Sequence, residues 1–315
     1  MEAFEQTSAV IKIGTRGSRL ALWQAHHVAD KLRAKGMDVD IVTITTKGDL
    51  VLDKSLDKIG AKGVFTEELE ESLRVGAIDI AVHSAKDVQS TIPEDLELLA
   101  FMEREQVQDV VISFDASFKL GEGQQIIGTS STRRRSLLKR FYPNVITAEC
   151  RGNLQTRIQK LKDGQYDAIL LAYAGVTRMQ YDHMIAQHLP LEQFVPAAGQ
   201  GSVAIECAKT LPLERKLALK AALDHEPTHL CLLAERAYLR TMEGGCSIPS
   251  FALATLEGKN LSLRAGIISL DGKELIVEEA IAPAEEAEAL GEQLANVVLS
   301  RGGDRILADI KREKV

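Results

Sequence analysis

The sequence has few aromatic residues, no long apolar run and no excess of basic charge. Aromatic residues make up 4% of its 315 positions, and the formal net charge is −7. A general nucleic-acid surface needs a basic field and stacking rings, so we expect no nucleic-acid partner. No apolar run approaches the roughly 18 residues that cross a bilayer, and residues 1–6 lack the pattern of a signal peptide. We therefore expect a cytoplasmic protein without membrane contact.

Cysteine is also scarce, and its spacing excludes two kinds of site. The chain has four cysteines, none in a Cys-x-x-Cys pair or near a His at metal-ligand spacing: Cys150, Cys207, Cys231 and Cys246. We expect neither disulfides nor a bound metal. Cys246 follows Gly244-Gly245 and precedes Pro249, a context that favours a thiol presented on a loop of fixed shape. The alternative is a small buried hydrophobic residue, which is the usual state of a free cysteine.

The apolar residues, 45% of the chain, can support more than one core. Strands and helices alternate at roughly 10–82 and again at roughly 125–172, with hydroxyl and Arg residues at matching strand ends. The pattern predicts an α/β protein: two similar lobes with mixed sheets, like those of periplasmic binding proteins, and a smaller C-terminal α+β domain with an antiparallel sheet. The closing helix is predicted at 284–299. The predicted domains are 8–103 with 201–221, then 107–197, then 223–315.

The stretch Ile78–Asp87 is central to the prediction of a functional site. It is an apolar strand that ends in His83-Ser84-Ala85-Lys86-Asp87. A buried parallel strand delivers such side chains to the carboxyl edge of its sheet, where open α/β folds bind ligands. Asp87 is therefore predicted to be a lone acid at the mouth of a cleft. An isolated Asp more often caps a helix or closes a turn, and that alternative stays open.

Several other stretches suggest that anions bind near this acid. A Gly-rich turn with Arg16 leads into a helix whose predicted N-cap is Ser18, although an ordinary capped surface helix fits equally well. Residues 133–135 are arginines in the first turn of a helix, where they oppose the macrodipole, so we expect a bound anion there. Facing strand ends would surround Asp87 with arginines: Arg16, Arg133, Arg134, Arg151 and Arg157.

Residues 46–63 form a long predicted loop that is rich in lysine and glycine. Loops of this length in a compact domain often act as lids or binding loops, and lysines on such a loop suit the capture of a polyanion. A merely solvated loop is the alternative.

A series of short motifs extends over nearly the whole chain. They are Gly14-Thr15-Arg16, Trp23-Gln24-Ala25, Lys47-Gly48-Asp49, Ala81-Val82-His83-Ser84-Ala85-Lys86-Asp87, Gly128-Thr129-Ser130-Ser131, Arg133-Arg134, Arg151-Gly152-Asn153 and Glu243-Gly244-Gly245-Cys246. Each is weak alone, but as an ordered set they resemble the porphobilinogen deaminase (hydroxymethylbilane synthase) family. The resemblance implies a monomeric, three-domain transferase of tetrapyrrole synthesis. Such an enzyme joins four porphobilinogen molecules head to tail, releases ammonia at each step and finally releases hydroxymethylbilane.

The resemblance also implies roles for individual residues. The primer, a dipyrromethane cofactor, would be attached by a thioether to Cys246. The implied catalytic residues are Asp87, Arg16 and Lys86. The implied cofactor-binding residues, besides Cys246, are Ser84, Lys86, Asp87, Thr129, Ser131, Arg133, Arg134, Gly152 and Arg157. The implied substrate-binding residues are Arg16, Ser18, Arg151, Arg157, Gln200 and the loop residues Lys58 and Lys62.

This chemistry agrees with the residue types. Each pyrrole carries two carboxylates, so a chain of six rings accumulates roughly a dozen negative charges, for which arginines are natural partners. Deamination leaves a cationic azafulvene that one carboxylate can stabilise while it assists proton transfer. Gln89 departs from the family, which often has Pro there, and predicts a less rigid loop after Asp87.

Two other functions compete with this one. A non-catalytic two-lobed anion-binding protein would have the same cleft without a presented thiol. A nucleic-acid-binding protein using residues 133–140 would bind oligonucleotides with a steep salt dependence, which the acidic net charge disfavours.

Overall fold

A computed structural model of the chain describes residues 10–50, 66–243 and 248–313. The strands are β1 Ile11–Arg16, β2 Val39–Ile44, β3 Ile80–Ser84, β4 Leu96–Phe101, β5 Asp109–Ile112, β6 Gln125–Gly128, β7 Val145–Ala148, β8 Ala168–Ala172, β9 Ile185–His188, β10 Val203–Ala208, β11 Ser250–Glu257, β12 Asn260–Ile268 and β13 Leu275–Pro283. The helices are α1 Arg19–Arg33, α2 Lys47–Leu50, α3 Glu67–Arg74, α4 Thr132–Phe141, α5 Leu154–Lys162, α6 Tyr173–Arg178, α7 Leu213–Leu223, α8 Glu226–Thr241, α9 Ala287–Val298 and α10 Asp304–Arg312.

The first lobe is built on a five-stranded mixed sheet of order β2-β1-β3-β10-β4. Strands β1, β2 and β3 are parallel, and β10 is antiparallel to both β3 and β4. Because β10 comes late in the sequence, the chain returns to this lobe after building the second one. The carboxyl ends of β1 and β3 therefore meet at one edge of the sheet.

The second lobe repeats this plan in the order β7-β6-β8-β5-β9. Its three parallel strands are β7, β6 and β8, and β5 is antiparallel to both β8 and β9. The predicted duplication is confirmed. The sequence reading missed β5 and β9, which have only four residues each and so carry too little periodicity to be recognised.

The C-terminal part is a three-stranded antiparallel sheet, β11-β12-β13, with α8 and α9 packed against it in one apolar core. This α+β arrangement is confirmed, including the turns at Gly258 and Gly272, which have φ of 62° and 77°. The prediction that one helix closes the chain was wrong. A π turn at Leu299–Gly303, with Gly302 at φ 106°, re-aims the backbone into α10, whose apolar face packs into the same core.

Glu235 of α8 joins the C-terminal part to both chain segments that cross between the lobes. Its carboxylate accepts hydrogen bonds from Arg104 Nη1 at 2.5 Å in the first crossing and from the Gly199 backbone N–H at 2.7 Å in the second. It also accepts from the Ala254 backbone N–H at 2.8 Å. Glu235 has no exposed surface, so this charge is satisfied entirely by internal donors.

Each of the three sheets lies within one of the predicted domains, whose boundaries stay a prediction. Helix α7 runs to Leu223, slightly past the predicted limit of the first domain. Within the described ranges, no helix combines the length and the apolar character that crossing a bilayer requires.

Candidate active site

The strand β3 ends as its sequence predicts, and a short 3-10 turn, Ala85–Asp87, follows it. The Asp87 side chain is exposed and lines a cavity of about 80 Å³ together with Arg16 and Ser18. Within the described residues, its carboxylate makes no hydrogen bond and no ion pair. Asp87 therefore neither caps a helix nor closes a turn through its side chain, and the structural alternative loses its basis.

The start of α1 forms one wall of this cavity. Gly14 allows the wall to form, because a Cβ there would lie 2.2 Å from Ile78 Cδ1. Ser18 is the N-cap, as predicted, and its hydroxyl accepts a hydrogen bond from the Ala21 backbone N–H at 3.3 Å. The first turn of α1 holds no acidic residue, so the positive end of the helix dipole is left for a ligand anion.

Gln24, which the sequence reading did not select as a site residue, holds the strand end in place. Its amide donates to Ser84 Oγ at 2.9 Å, and the Gln24 side chain is 2% exposed. The hydrogen bond orients the Ser84 hydroxyl, and Ser84 and Arg16 line the same cavity. The only signal in the sequence was the Trp23-Gln24-Ala25 motif.

In the second lobe, the start of α4 takes the place of α1. Ser131 caps the helix by accepting from the Arg134 backbone N–H at 3.4 Å, and the buried Thr129 hydroxyl accepts from the Ser131 backbone N–H at 3.3 Å. Gly128, the last residue of β6, leaves no room for a Cβ beside Ile169 and Tyr166, just as Gly14 in β1 leaves none beside Ile78.

Arg133 and Arg134 point inward from this helix start, and each is 5% exposed. Arg133 Nη2 lies 2.7 Å from Asp109 Oδ2, and Arg134 Nη2 lies 2.7 Å from Asp109 Oδ1. The anion expected at the arginines of this helix start stays a prediction, but Arg133 and Arg134 do not depend on it as their only counter-charge. An internal carboxylate, 24 and 25 positions away in sequence, already compensates part of their charge.

The pKa values follow from this arrangement. Burial alone would raise the pKa of Asp109, but the charges of Arg133 and Arg134 outweigh it and hold that pKa well below its usual range. Burial lowers the pKa of Arg133, and Asp109 opposes the change. The sequence reading missed Asp109; its one signal was an acid at the start of the apolar run 110–112.

One hydrogen-bond donor of Arg134 is unsatisfied by the residues that the structure describes. Its Nη1 donates to the Leu170 carbonyl at 2.9 Å, but its Nε is buried and has no partner among the described residues. A buried N–H without an acceptor costs free energy, so a ligand carboxylate at this position would be stabilised. The unsatisfied Nε of Arg134 therefore suits a ligand that bears carboxylate groups.

Arg157 on α5 also lacks a carboxylate partner in the described part of the chain. Its Nε donates to the Gly152 carbonyl at 2.8 Å, and Asn153 caps the helix as predicted, accepting from the Thr156 N–H at 2.9 Å. Burial lowers the pKa of Arg157, and the nearby Asp87 carboxylate opposes the change. Gly152 needs to be glycine here, because its φ is 108°. Arg157 and Asp87 come from different lobes and are close enough to interact electrostatically.

Arg151 lies at the edge of the site. Its Nε is 3.0 Å from Glu149 Oε2 on the surface of the second lobe, where an exposed ion pair contributes little to stability. Lys58, Lys62 and Cys246 lie outside the described residues. No group of three metal-ligating side chains occurs in the described ranges.

Lys86 is half-buried, but its ammonium reaches inward to within 3.5 Å of Gln200 Oε1. Burial lowers the pKa of Lys86 to about 8; Arg134 lowers it further, whereas Asp87 and Asp109 oppose the shift. Gln200 is 1% exposed, and its amide donates to Asp109 Oδ1 at 2.9 Å. Gln200 therefore lies in the crossing between the lobes, beneath the cleft.

Gln89 does not loosen the segment after Asp87 as its departure from Pro suggested. Its amide lies 3.3 Å from both Thr66 Oγ1 and Glu70 Oε1 at the start of α3. Its carbonyl accepts from Arg236 Nη2 of α8 at 2.6 Å. Side-chain and backbone hydrogen bonds thus fix this segment on two sides.

Two similar α/β lobes, joined by two crossings, thus present a single unpaired carboxylate to partly unsatisfied guanidinium groups. This arrangement defines a cleft protein of the two-lobed α/β class that acts on organic anions. A pure anion binder has no evident use for an exposed acid at the centre of a cationic site.

The comparisons with known proteins specify the class further. Residues 11–213 match the family model of the porphobilinogen deaminase dipyrromethane cofactor binding domain, and residues 229–300 match that of the porphobilinogen deaminase C-terminal domain. The chain belongs to the porphobilinogen deaminase family.

Curated relatives extend this match over nearly the whole chain. A porphobilinogen deaminase of Cytophaga hutchinsonii is 54% identical over 303 residues, covering 96% of this chain and 97% of its own length. One of Desulfosudis oleivorans is 48% identical over 306 residues, covering 96% of this chain and 99% of its own length. One of Syntrophomonas wolfei is 43% identical, with the same coverage of 96% and 99%.

Solved structures resemble the chain more distantly. The periplasmic VFT2 domain of BvgS from Bordetella pertussis has a TM-score of 0.42 at 17% identity, covering 68% of this chain and 86% of that domain. A TM-score at this level carries no argument, and the two-lobed architecture is established by the sheet order itself.

Proposed function

We propose that this protein joins four porphobilinogen molecules head to tail on a dipyrromethane primer, with loss of ammonia at each step, and releases hydroxymethylbilane. The observation that supports this most is the exposed carboxylate of Asp87, unpaired within the described residues, in a site where Arg157 and Arg134 keep unused binding capacity. Membership of the porphobilinogen deaminase family points to the same reaction.

Binding of the substrate relies on its acetate and propionate groups. Arg134 Nε is a buried donor without an acceptor, and Arg157 is a cation without a carboxylate. A charged hydrogen bond contributes about 1.5–3 kcal/mol, so a few such contacts orient a pyrrole ring without a covalent bond. We assign Arg16, Ser18 and Arg157 to the substrate carboxylates, with Arg151, Lys58 and Lys62 at the periphery.

Asp87 acts at the reacting end of the substrate. The carbon–nitrogen bond of the aminomethyl group breaks once its nitrogen carries an extra proton, and ammonia leaves with the bonding electrons. The remaining ring system is cationic, and the Asp87 carboxylate stabilises it and accepts the ring N–H as a hydrogen bond. Lys86, with a pKa lowered to about 8, sits beside Asp87 and can give up or hold a proton near neutral pH.

The primer is assigned to Cys246. The three described cysteines, Cys150, Cys207 and Cys231, are buried, and burial raises the pKa of each. A buried thiol of raised pKa is a poor nucleophile, so these three are unsuitable for a thioether to a pyrrole. When bound, the primer supplies the nucleophilic pyrrole carbon to which the first substrate joins. We assign its carboxylates to Ser84, Lys86, Thr129, Ser131, Arg133, Arg134, Gly152 and Arg157.

Gln200 has a different role from the substrate contact implied by the resemblance. Its side chain is buried and hydrogen-bonded to Asp109, and it lies beside Lys86. We assign it the positioning of Lys86 relative to the second lobe. A monomer in the cytoplasm is the state that we expect for this enzyme.

The reaction is tested with purified protein and porphobilinogen. We expect four ammonia molecules per linear tetrapyrrole released, measured by an enzymatic ammonia assay and by the absorbance of the cyclised, oxidised product. A protein that binds porphobilinogen but releases no ammonia over hours would contradict the proposal and support a pure binder.

Attachment of the primer is tested by intact mass. The native protein should exceed its sequence mass by two linked pyrrole units, and Cys246→Ser should lack this addition. Cys231→Ser is the matched control and should keep it. An adduct that persists in Cys246→Ser would refute the assignment.

A further inference from the structure

A second cleft, distinct from the active site, lies between the first lobe and the C-terminal part. It has a volume of about 280 Å³ and is formed by β4, by the segment that follows Asp87, and by one face of α8. Its apolar wall includes Leu98, Phe101 and Leu233. The His229 ring fixes this wall, because it stacks edge-on against Phe101 at 5.2 Å between ring centroids and is held by Asp224 at 2.8 Å.

The opposite side of this cleft is cationic and centres on Arg236. Arg236 is 6% exposed, and its Nη2 donates to the carbonyls of Gln89 and Ser90 at 2.6 and 3.4 Å. Its Nε and Nη1 make no hydrogen bond within the described residues, and no carboxylate there lies within 4 Å of it. Burial, together with the charge of Arg240, lowers the pKa of Arg236 to about 10.

Two other arginines with little exposed surface are ion-paired within the chain. Arg104 is paired with Glu235 at 2.5 Å, and Arg133 is paired with Asp109 at 2.7 Å. A buried guanidinium without an ion pair is costly, although the charge of Glu206 offsets part of this cost for Arg236. Arg236 also lines a cleft large enough for a small molecule. The arrangement is therefore that of an anion site whose anion is not part of the chain.

The shape of the cleft selects the kind of anion. Arg240, at the rim, pairs with Glu288 at 3.1 Å and is only partly available. One accessible guanidinium faces an apolar wall, which matches one carboxylate on a compact ring better than a fully hydrated inorganic anion. The hydroxyl groups of Ser90 and Thr91 at the edge add hydrogen-bonding capacity for the same carboxylate.

We propose that this cleft binds a small organic monocarboxylate with an aromatic or alicyclic body, its carboxylate on Arg236 and its ring against Leu98 and Leu233. Such a ligand bridges the first lobe and the C-terminal part. It also contacts the segment that begins two residues after Asp87, since Arg236 holds the Gln89 carbonyl. A ligand in this cleft could therefore change the position of the segment that follows Asp87 without entering the active site.

The test uses 4-fluorobenzoate as the probe and fluorine NMR of the native protein as the readout. We expect saturable binding, about tenfold weaker binding of neutral 4-fluorobenzamide, and no displacement by an equal concentration of inorganic phosphate. Thr91→Trp places a bulky group at the exposed rim and should abolish binding without unfolding the protein, as should Arg236→Gln if it folds. Leu213→Trp, at a position 71% exposed on α7, is the matched control and should bind normally.

The catalytic arginines could also take up a carboxylate, so Arg16→Gln is measured in parallel. Binding that survives Thr91→Trp but is lost in Arg16→Gln would place the probe in the active site and overturn the proposal. Absence of binding up to 10 mM probe (roughly the weakest affinity useful for regulation) would also overturn it, and displacement by phosphate would overturn the ligand class.

Discussion

The two lobes share one sheet order but use their acidic residues in opposite ways. In the first lobe, Asp87 follows the central parallel strand, is exposed and makes no ion pair among the described residues. In the second lobe, Asp109 has no exposed side-chain surface and lies between Arg133 and Arg134 at 2.7 Å from each. The Asp87 carboxylate is left for chemistry, and the Asp109 carboxylate compensates the charge of Arg133 and Arg134.

This difference explains how a pocket dense in guanidinium groups folds before any ligand arrives. Three buried or half-buried arginines with no counter-charge would repel one another and lose hydration. Asp109, which accepts a hydrogen bond from Gln200, compensates part of this charge from beneath the cleft. Arg134 Nε and the Arg157 guanidinium are left without a carboxylate among the described residues. The second lobe is thus preorganised for anions, whereas the first lobe supplies the acid that meets them.

The largest effect is expected for Asp109→Asn, which keeps the volume and removes the charge. It leaves two buried guanidinium groups uncompensated, so we expect a loss of about 3–5 kcal/mol in the free energy of unfolding, measured by urea denaturation at pH 7. The pKa of Asp109 is held low in the folded state, so its contribution is present above about pH 4 and fades below. The difference between the two proteins should therefore narrow as pH falls.

Asp87→Asn is the natural control for that experiment. The Asp87 side chain is exposed and unpaired, so its replacement should change the free energy of unfolding by no more than about 0.5 kcal/mol. If Asp87→Asn and Asp109→Asn lowered the free energy of unfolding equally, the two carboxylates would not differ in the way described.

Arg157→Gln removes a guanidinium that lacks an internal carboxylate. We expect the KM for porphobilinogen to rise by about one to two orders of magnitude, which corresponds to about 1.5–3 kcal/mol for a charged hydrogen bond. Stability should change little, because within the described residues the only hydrogen bond lost is that from Nε to the Gly152 carbonyl. Arg135→Gln, on the exposed Glu149 pair, is the matched control; if it raised KM equally, net charge rather than this site would be responsible.

Gln89→Ala tests whether the segment after Asp87 is held by its side chain. The loss of its hydrogen bonds to Thr66 and Glu70 should lower the free energy of unfolding by about 1 kcal/mol and reduce turnover a few-fold. Gln124→Ala, at an exposed position with no hydrogen bond in the described residues, should have no effect. Unchanged stability and turnover in Gln89→Ala would mean that the Arg236 contact alone suffices.

A pH dependence of the free energy of unfolding is expected from Lys86. Its pKa is about 8 in the folded state against 10.5 ordinarily, so between these values the unfolded chain binds more protons. Removing Lys86 should therefore stabilise the protein below pH 8, and this gain should shrink as pH rises toward 10.5. Lys86→Met is compared with Lys35→Met, which replaces an exposed lysine. Both changes are made in the cofactor-free Cys246→Ser protein, and the free energy of unfolding is measured by denaturation at several pH values. A gain in stability that does not vary with pH would show that burial does not lower the pKa of Lys86.

Several parts of the fold could be predicted from the sequence because their signals are local. The run from Ile80 to Asp87 contains both the strand and its polar end, and the caps Ser18 and Asn153 precede their helices directly. Turn glycines in the C-terminal sheet mark its hairpins in the same way.

The compensating groups could not be predicted, because they act over long sequence distances. Asp109 belongs to a four-residue strand, and Gln200 reaches it from 91 positions away, after the chain has completed the second lobe. Glu235 joins two crossings that are far apart in sequence. Only the folded topology brings such groups together, so local sequence patterns and secondary-structure propensities do not predict these contacts.

The account is tested most directly by single-turnover ammonia release from porphobilinogen in Asp87→Asn, with Asp40→Asn as control. Asp40 is exposed at the amino-terminal end of β2, the opposite end of the sheet from the cleft. We predict that Asp87→Asn folds with native stability and releases ammonia about 10²-fold more slowly or worse, while Asp40→Asn keeps the native rate. A native rate in a correctly folded Asp87→Asn protein would contradict the assignment of the catalytic acid.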